Sequence, residues 1–210
     1  MPSAFPCWQC SRPTGELFCA GCGTLQKPPA EYYQFFGLEE RLSVDLADLQ
    51  RRFYDLSRKL HPDRYGRKPA TERQCSEEAT SILNDGYRTL RDPVNRAEYV
   101  LKQHGLEIGE QRSKNVPPEL LEEVFELNMA LEEMRGGDDS ARPQLEQAQQ
   151  RFTGMLEDAD RELHRQFARY DESRDDAALS NIRGILNRRR YIQNLVSEVE
   201  KELSGSALPN

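Results

Sequence analysis

Between residues 46 and 60 the apolar side chains Leu46, Leu49, Phe53, Leu56 and Leu60 recur at alternating steps of three and four. That spacing places them on one stripe of an amphipathic helix. Cys75, Ala79, Ile82, Gly86 and Leu90 form a matching stripe, so the two runs are expected to pack as an antiparallel pair. Pro93 is suited to the first turn of a further helix, with Asp92 as its cap, and Ala97, Val100 and Leu101 would cover the pair. Beyond residue 115 the stripes lengthen. Leu120, Val124, Leu127, Leu131 and Met134 make one; Leu145, Ala148, Phe152, Met155, Ala159 and Leu163 make a second. Ala178, Ile182, Ile185, Ile192, Val196, Val199 and Leu203 make a third, with Arg189 filling one turn. Three such helices with short connections predict an up-down-up bundle. No alternating strand pattern occurs outside the first thirty residues, so the fold class expected is all-α.

Breaks in this pattern divide the chain. Residues 1–30 are rich in Cys, Gly and Pro, have no sustained period and end in the stiff stretch KPPAE. Residues 31–105 carry the helical pair, 106–116 form a Gly- and Pro-marked linker, 117–204 carry the bundle, and 205–210 form a tail expected to fray.

Charge then narrows the function. With a net charge of −7 the chain is too acidic for a general nucleic-acid binder, whose affinity comes from neutralising phosphates. No apolar run approaches the ~20 residues of a membrane span, so neither nucleic acid nor membrane is an expected partner. The distribution says more than the sum. Residues 51–68 hold seven Lys/Arg against two Asp, whereas 107–139 hold ten Asp/Glu against three Lys/Arg. Faces of opposite sign suggest two different partners.

Cys7-x2-Cys10 and Cys19-x2-Cys22 supply four thiols in two knuckles. Each pair can place two thiolates on one ion, and the two pairs complete a tetrahedral site, so one structural zinc ion is expected. Thirty residues with few apolar groups cannot fold on a core alone, and metal would provide that free energy. Disulfides or redox thiols are the alternatives. The first need an oxidising compartment that nothing here signals, and the second a scaffold that is missing. Cys75 lies on an apolar stripe and is expected in the core.

The basic helix ends in SRKLHPDRYG, residues 57–66. Pro62 and Asp63 would stop any helix, but the setting adds more: Arg51, Arg52, Arg58 and Lys59 precede the turn on the solvent face, and Arg64, Arg67 and Lys68 follow it. Upstream lies the aromatic cluster YYQFFGL, residues 32–38. Over about 75 residues this arrangement resembles the J-domain of DnaK-type co-chaperones. The resemblance implies that His61, Pro62, Asp63 and the basic residues Arg51, Arg52, Arg58 and Lys59 engage the ATPase domain of a DnaK-type chaperone and stimulate ATP hydrolysis. The J-domain performs no chemistry itself. A catalytic acid–base role for His61 and Asp63 finds no nucleophile, phosphate loop or pocket former beside it.

The stretches LNDGYRTLRDPVNRAEYVLKQHG (83–105) and LLEEVFELNMALEE (120–133), with the tetracysteine, make nearly the whole chain similar to the HscB (Jac-type) co-chaperones of iron–sulfur cluster assembly, in an animal-like form. That family implies a helical bundle that binds an IscU-type scaffold protein and delivers it to the chaperone, and, in eukaryotes, a mitochondrial matrix location, with the cytosol also open. On this chain the 117–135 helix has a second apolar row, Leu121, Phe125 and Met129, beside its core stripe, and Tyr191 and Leu195 form an off-stripe pair on the last helix. A helix needs only one stripe to join a bundle. The family's scaffold-binding positions carried across are Leu121, Phe125, Glu126, Met129 and Tyr191; Glu122 departs from the usual apolar residue. The rivals are a second row that packs against the J-domain or only thickens the bundle, a general J-protein that holds unfolded clients, and a metal-dependent enzyme centred on the cysteines. A weak homodimer is compatible with the sequence.

Overall fold

Helices α1, α2 and α4 begin where the sequence supplies an oxygen for their first free N–H groups. In the computed structural model, which describes residues 5–106 and 118–205, Glu31 opens α1 (Tyr32–Phe36) by accepting from the N–H of Tyr33 at 3.0 Å and of Gln34 at 2.5 Å. Gly37 closes it at φ 64°, a left-handed turn that a Cβ would oppose. Asp45 caps α2 (Leu46–Leu60) through the N–H groups of Ala47 and Asp48. Asp92 does the same for α4 (Pro93–Gln103), accepting from Asn95 N at 2.8 Å, as the sequence predicts. Two compact units result, one within residues 1–99 and one within 100–210.

In the first unit α2 packs against α3 (Ala70–Arg91). Leu49 and Leu60 are fully buried, Phe53 and Leu56 are half-buried, and Phe53 stacks on Tyr87 of α3 with ring centroids 4.2 Å apart. Leu46, assigned to the same stripe, is 53% exposed. It is the first helical residue, and helical side chains lean toward the N-terminus, so it projects past the pair. On α3 the buried stripe runs through Cys75, Ser76, Ala79, Leu83, Gly86 and Leu90; Ile82 is only half-buried and Leu83 takes its place. Gly86 is where α1 lies on α3. A Cβ there would meet Phe36 Cε2 at 3.0 Å and Tyr32 Cδ1 at 3.1 Å. Arg96 of α4, 5% exposed, donates through Nε to Leu42 O at 2.8 Å and through Nη1 to Leu90 O at 2.5 Å, tying α4 to two other segments by their carbonyls.

The N-terminal module belongs to this unit. Strands β1 (Phe5–Pro6) and β2 (Pro13–Thr14) pair antiparallel, and an isolated bridge joins Phe18 to Leu25. Leu25 is completely buried, and its N–H points at the Glu72 carboxylate of α3 across 3.5 Å.

The second unit contains α5 (Leu121–Arg135), α6 (Arg142–Ser173) and α7 (Asp176–Gly205), the expected three-helix bundle. Its core joins Leu120, Val124, Leu127, Leu131 and Met134 to Leu145 and Phe152 of α6 and to Ile192, Val196 and Val199 of α7. Helix α6 continues past Leu163 with Phe167 and Tyr170 buried, pairing with α7. Leu195, expected on a free face, is 8% exposed and belongs to this core. Here α7 meets both other helices, so its buried sector is wider than one stripe. Arg189 binds Asp160 of α6 through Nε at 2.6 Å and Nη2 at 3.3 Å. Most of the predicted linker falls on 107–117, outside the described residues. No helix among the described residues is long and apolar enough to cross a membrane.

Candidate functional site

The last carbonyls of a helix have no partner within it and must be satisfied from outside. At the end of α2 three consecutive ones are. Arg58 O accepts from Arg64 Nη1 at 2.9 Å, and Lys59 O from the Tyr65 hydroxyl at 3.1 Å. Leu60 O accepts from the Ser76 hydroxyl at 2.7 Å and the Thr80 hydroxyl at 3.3 Å, both on α3. These four donors hold the short 3-10 turn Pro62–Arg64 that follows. Within the turn Arg64 N donates to His61 O at 3.0 Å and Tyr65 N to Pro62 O at 2.8 Å. His61, Pro62 and Asp63 are all exposed. The His61 Nδ1 lies 3.3 Å from the Asp63 N–H and 3.4 Å from the Asp63 carboxylate, which directs the other ring nitrogen outward.

The basic residues beside the turn are not equivalent. Arg51 pairs with Asp48, and Arg58 with Asp55, one helical turn away. Arg52 is half-buried: its Nε binds Asp48 at 2.8 Å and its Nη1 binds the carbonyls of Phe36 and Gly37 at 3.0 and 2.9 Å. It closes the end of α1 and is part of the fold. Lys59 is exposed and forms no ion pair among the described residues.

The four knuckle cysteines converge. Their sulfurs lie within 4.8 Å of one another, with Cys7–Cys22 and Cys10–Cys19 both at 3.7 Å, and all five cysteines of the chain are free thiols. Zinc–sulfur bonds of about 2.3 Å in a tetrahedron give sulfur–sulfur edges of about 3.8 Å, so the cage fits such an ion. The N–H groups of Gln9 and Gly21, both at 3.4 Å, point at Cys7 and Cys19 respectively, and the Gln26 amide reaches Cys7 at 3.3 Å. Such donors favour the thiolate that a metal requires. The Thr24 hydroxyl, and then its backbone N–H, draw the Cys22 thiol down to about 6. Trp8 leans on the same loop, donating through Nε1 to Leu25 O at 2.9 Å. Four residues close together can therefore bind one metal ion, and with four thiolates in place no coordination position is left for a substrate.

On α5 the second apolar row faces water. Leu121 is 55%, Phe125 68% and Met129 48% exposed, a concentration of large apolar side chains seldom left bare without use. Glu126 stands beside them, 3.8 Å from Arg151 of α6, which also binds Glu123 at 2.8 Å. Tyr191 is half-buried, packed on the edge of the bundle core; burial first, then Glu198, raise its hydroxyl pKa. Sequence reasoning missed Tyr65, Ser76 and Thr80, and read Arg64 as surface charge only; these four are the donors that fix the His-Pro-Asp turn. A Ser/Thr pair four apart on the apolar stripe of α3 was the available signal. It also missed the groove of about 400 Å³ between α5 and α6, bordered by Phe125, Met129, Ala148 and Arg151.

Comparison with known proteins follows these two units. Residues 31–99 match the DnaJ domain, and residues 116–200 match the family described as the HSCB C-terminal oligomerisation domain. The chain is 36% identical over 134 residues to the human iron-sulfur cluster co-chaperone protein HscB, covering 60% of this chain and 57% of that one. It thus spans little more than half the length of that relative. Against the co-chaperone protein HscB homolog of Aromatoleum aromaticum it is 30% identical over 175 residues, 83% of this chain and 94% of the relative. The crystal structure of human co-chaperone protein HscB superposes with a TM-score of 0.64 at 28% identity, covering 93% of this chain and 97% of that one. A J-domain joined to the HscB-type helical bundle, matched along nearly the full length of a relative, shows that the chain belongs to the HscB family of co-chaperones.

Proposed function

We propose that this protein is a non-enzymatic adaptor for iron–sulfur cluster assembly, built as a zinc module (1–30), a J-domain (31–105) and a scaffold-binding bundle (117–204). Its His61-Pro62-Asp63 turn engages the ATPase domain of a DnaK-type chaperone and speeds ATP hydrolysis. Leu121, Phe125, Glu126, Met129 and Tyr191 present an IscU-type scaffold to that chaperone. The human and Arabidopsis thaliana relatives bear the name iron-sulfur cluster co-chaperone, which supports both the process and, for a eukaryotic cell, the mitochondrial matrix.

One observation carries the first half: the His-Pro-Asp turn stands exposed on a helix end whose three last carbonyls are all satisfied from within the fold. Such a turn meets its partner already ordered, so little binding free energy is lost on fixing it. Lys59 and Arg58 beside it would speed encounter with an acidic surface. For the second half, an exposed apolar row edged by glutamates supports a partner with its own apolar patch ringed by cations. In the module, zinc held by Cys7, Cys10, Cys19 and Cys22 would cross-link residues 7–22 and take no part in a reaction.

Single-turnover ATP hydrolysis by a DnaK-type chaperone tests the turn: His61→Gln is expected to remove the stimulation, and equal stimulation by both proteins would refute the assignment. Alanine at Leu121, Phe125 and Tyr191 together should weaken scaffold binding at least about a hundredfold, since buried anchors commonly carry ≥ 2 kcal/mol each, while ATPase stimulation by the free protein stays unchanged. Loss of helicity in that variant would instead mark the row as core.

A further inference from the structure

The cysteine module is not tethered loosely beside the J-domain. Leu25 is fully buried, its N–H faces Glu72 across 3.5 Å, and Glu72 is itself 7% exposed with Lys68 Nζ 4.0 Å away. The second knuckle is a closed loop: Cys19 N donates to Thr24 O at 3.0 Å and Gly23 N to Cys19 O at 2.7 Å, while the Phe18–Leu25 bridge fastens its two ends. That loop ends against the residues following the His-Pro-Asp turn. Phe18 and Gly23 form one wall of a cleft of about 470 Å³, and Lys59, Arg64 and Lys68 stand on the other wall with Glu72 between them.

In this cleft positive charge is poorly compensated. Arg51, Arg52 and Arg58 each pair with an aspartate of their own helix. Lys59 and Arg64 pair with no carboxylate among the described residues, and Lys68 reaches Glu72 only at 4.0 Å. Three cations against one largely buried carboxylate, in a concave site, concentrate a field suited to an anion.

We propose that the cysteine module is part of the chaperone-docking surface: its second knuckle and the basic flank of the His-Pro-Asp turn form one cleft that receives a carboxylate-bearing segment of the chaperone. The inference rests on the reading that the turn engages that chaperone. Two features select this occupant, the sign of the cleft and its continuity with the turn through Lys59 and Arg64. Metal in the cage fixes residues 18–25 and so fixes one wall. The module then acts as a metal-set half of a socket, contributing affinity and leaving the stimulation itself to His61.

Gly23 gives a clean test. Its φ of 72° is one that Asn and Asp adopt more readily than other side chains, with the same backbone strain for both, and a Cβ there would meet nothing within 4 Å. Gly23→Asp and Gly23→Asn therefore differ only in a charge placed in the cleft. The metal-loaded full chain is titrated into a DnaK-type chaperone, and single-turnover hydrolysis is read as maximal stimulation and half-maximal concentration. Gly23→Asp should need about fivefold or more protein than Gly23→Asn for half-maximal stimulation, reach the same maximum, and converge with it at high salt, where exposed charges are screened. Lys68→Glu, outside the module, should shift the half-maximal concentration the same way. Identical titrations for Gly23→Asp and Gly23→Asn, or no shift with Lys68→Glu, overturn the inference even where His61→Gln abolishes stimulation. Stimulation retained by His61→Gln refutes the underlying reading instead.

Discussion

Replacing Ser76 with Ala and Thr80 with Val removes both hydroxyls that hold Leu60 O, the carbonyl on which the His-Pro-Asp turn is built. Neither change opens a large cavity, because Ser→Ala deletes one oxygen and Thr→Val exchanges it for a methyl. The Ser76 bond is short, at 2.7 Å, and its residue is fully buried. With Thr80 still on the carbonyl no acceptor is stranded, so Ser76→Ala alone should cost about 1 kcal/mol, the typical net worth of one hydrogen bond. The Thr80 bond is longer, at 3.3 Å, and half-exposed, and its loss alone should cost about 0.5 kcal/mol, the low end for a hydrogen bond. The pair should exceed the sum of the singles, because either hydroxyl alone still satisfies the carbonyl. A total of about 2–3 kcal/mol corresponds to a fall in Tm of roughly 8–20 °C for a unit of about 100 residues. Thermal unfolding followed by circular dichroism measures this. Hydrogen exchange at Arg64 N and Tyr65 N, which are bonded inside the turn, should quicken in parallel. A double variant melting within 2 °C of the parent, with unchanged exchange at both amides, would refute the claim that α3 anchors the turn.

Gly86→Ala should destabilise the first unit by about 1–3 kcal/mol, since the added methyl meets the Phe36 and Tyr32 rings, offset by up to about 1 kcal/mol of helix propensity; denaturant unfolding decides the sign. Tyr99→Phe removes a hydroxyl that accepts from Tyr32 N and donates to Glu31, both at 3.0 Å, and should cost about 1–2 kcal/mol by the same measurement. Burial, first, keeps that hydroxyl protonated well above the ordinary tyrosine range, so its contribution should not change between pH 6 and 9. In metal-loaded protein the four knuckle cysteines should resist alkylation, and chelation should expose them while Cys75, buried and with its thiol raised by that burial, stays protected. Once the metal is gone all four knuckle cysteines should label ahead of Cys75; mass spectrometry showing Cys75 labelled first would contradict this.

Helical periodicity made most of this fold legible, because a stripe of apolar residues has one economical use. Leu49, Leu60, Ala79, Leu127 and Phe152 lie in the core as their spacing predicts. The stripe method failed where an element has more than one neighbour or none. Leu195 is buried because α7 touches two helices, and Leu46 is bare because nothing precedes it in α2. Of the sites, the cysteine cage was the plainest, since ligand type and spacing directly encode a tetrahedron. The His-Pro-Asp tripeptide could be found but its support could not. Ser76, Thr80 and Tyr65 reach α2 from twenty residues away or fewer, yet polar residues on an apolar stripe carry no mark of which carbonyl they serve. Arg52 shows the opposite error: a cation in a basic run reads as surface charge, while its guanidinium serves two backbone carbonyls.

That guanidinium gives the bare stretch of α3 a reach beyond packing. Tyr32 and Phe36 settle on Gly86; the carbonyls of Phe36 and Gly37 then receive Arg52, and Arg52 shares Asp48 with Arg51. Interior steric room and exterior electrostatics are thus links of one chain. Bulk introduced at residue 86 would be transmitted outward as rearranged cations, so a lesion confined to the hidden interior could masquerade as a defect in partner recognition.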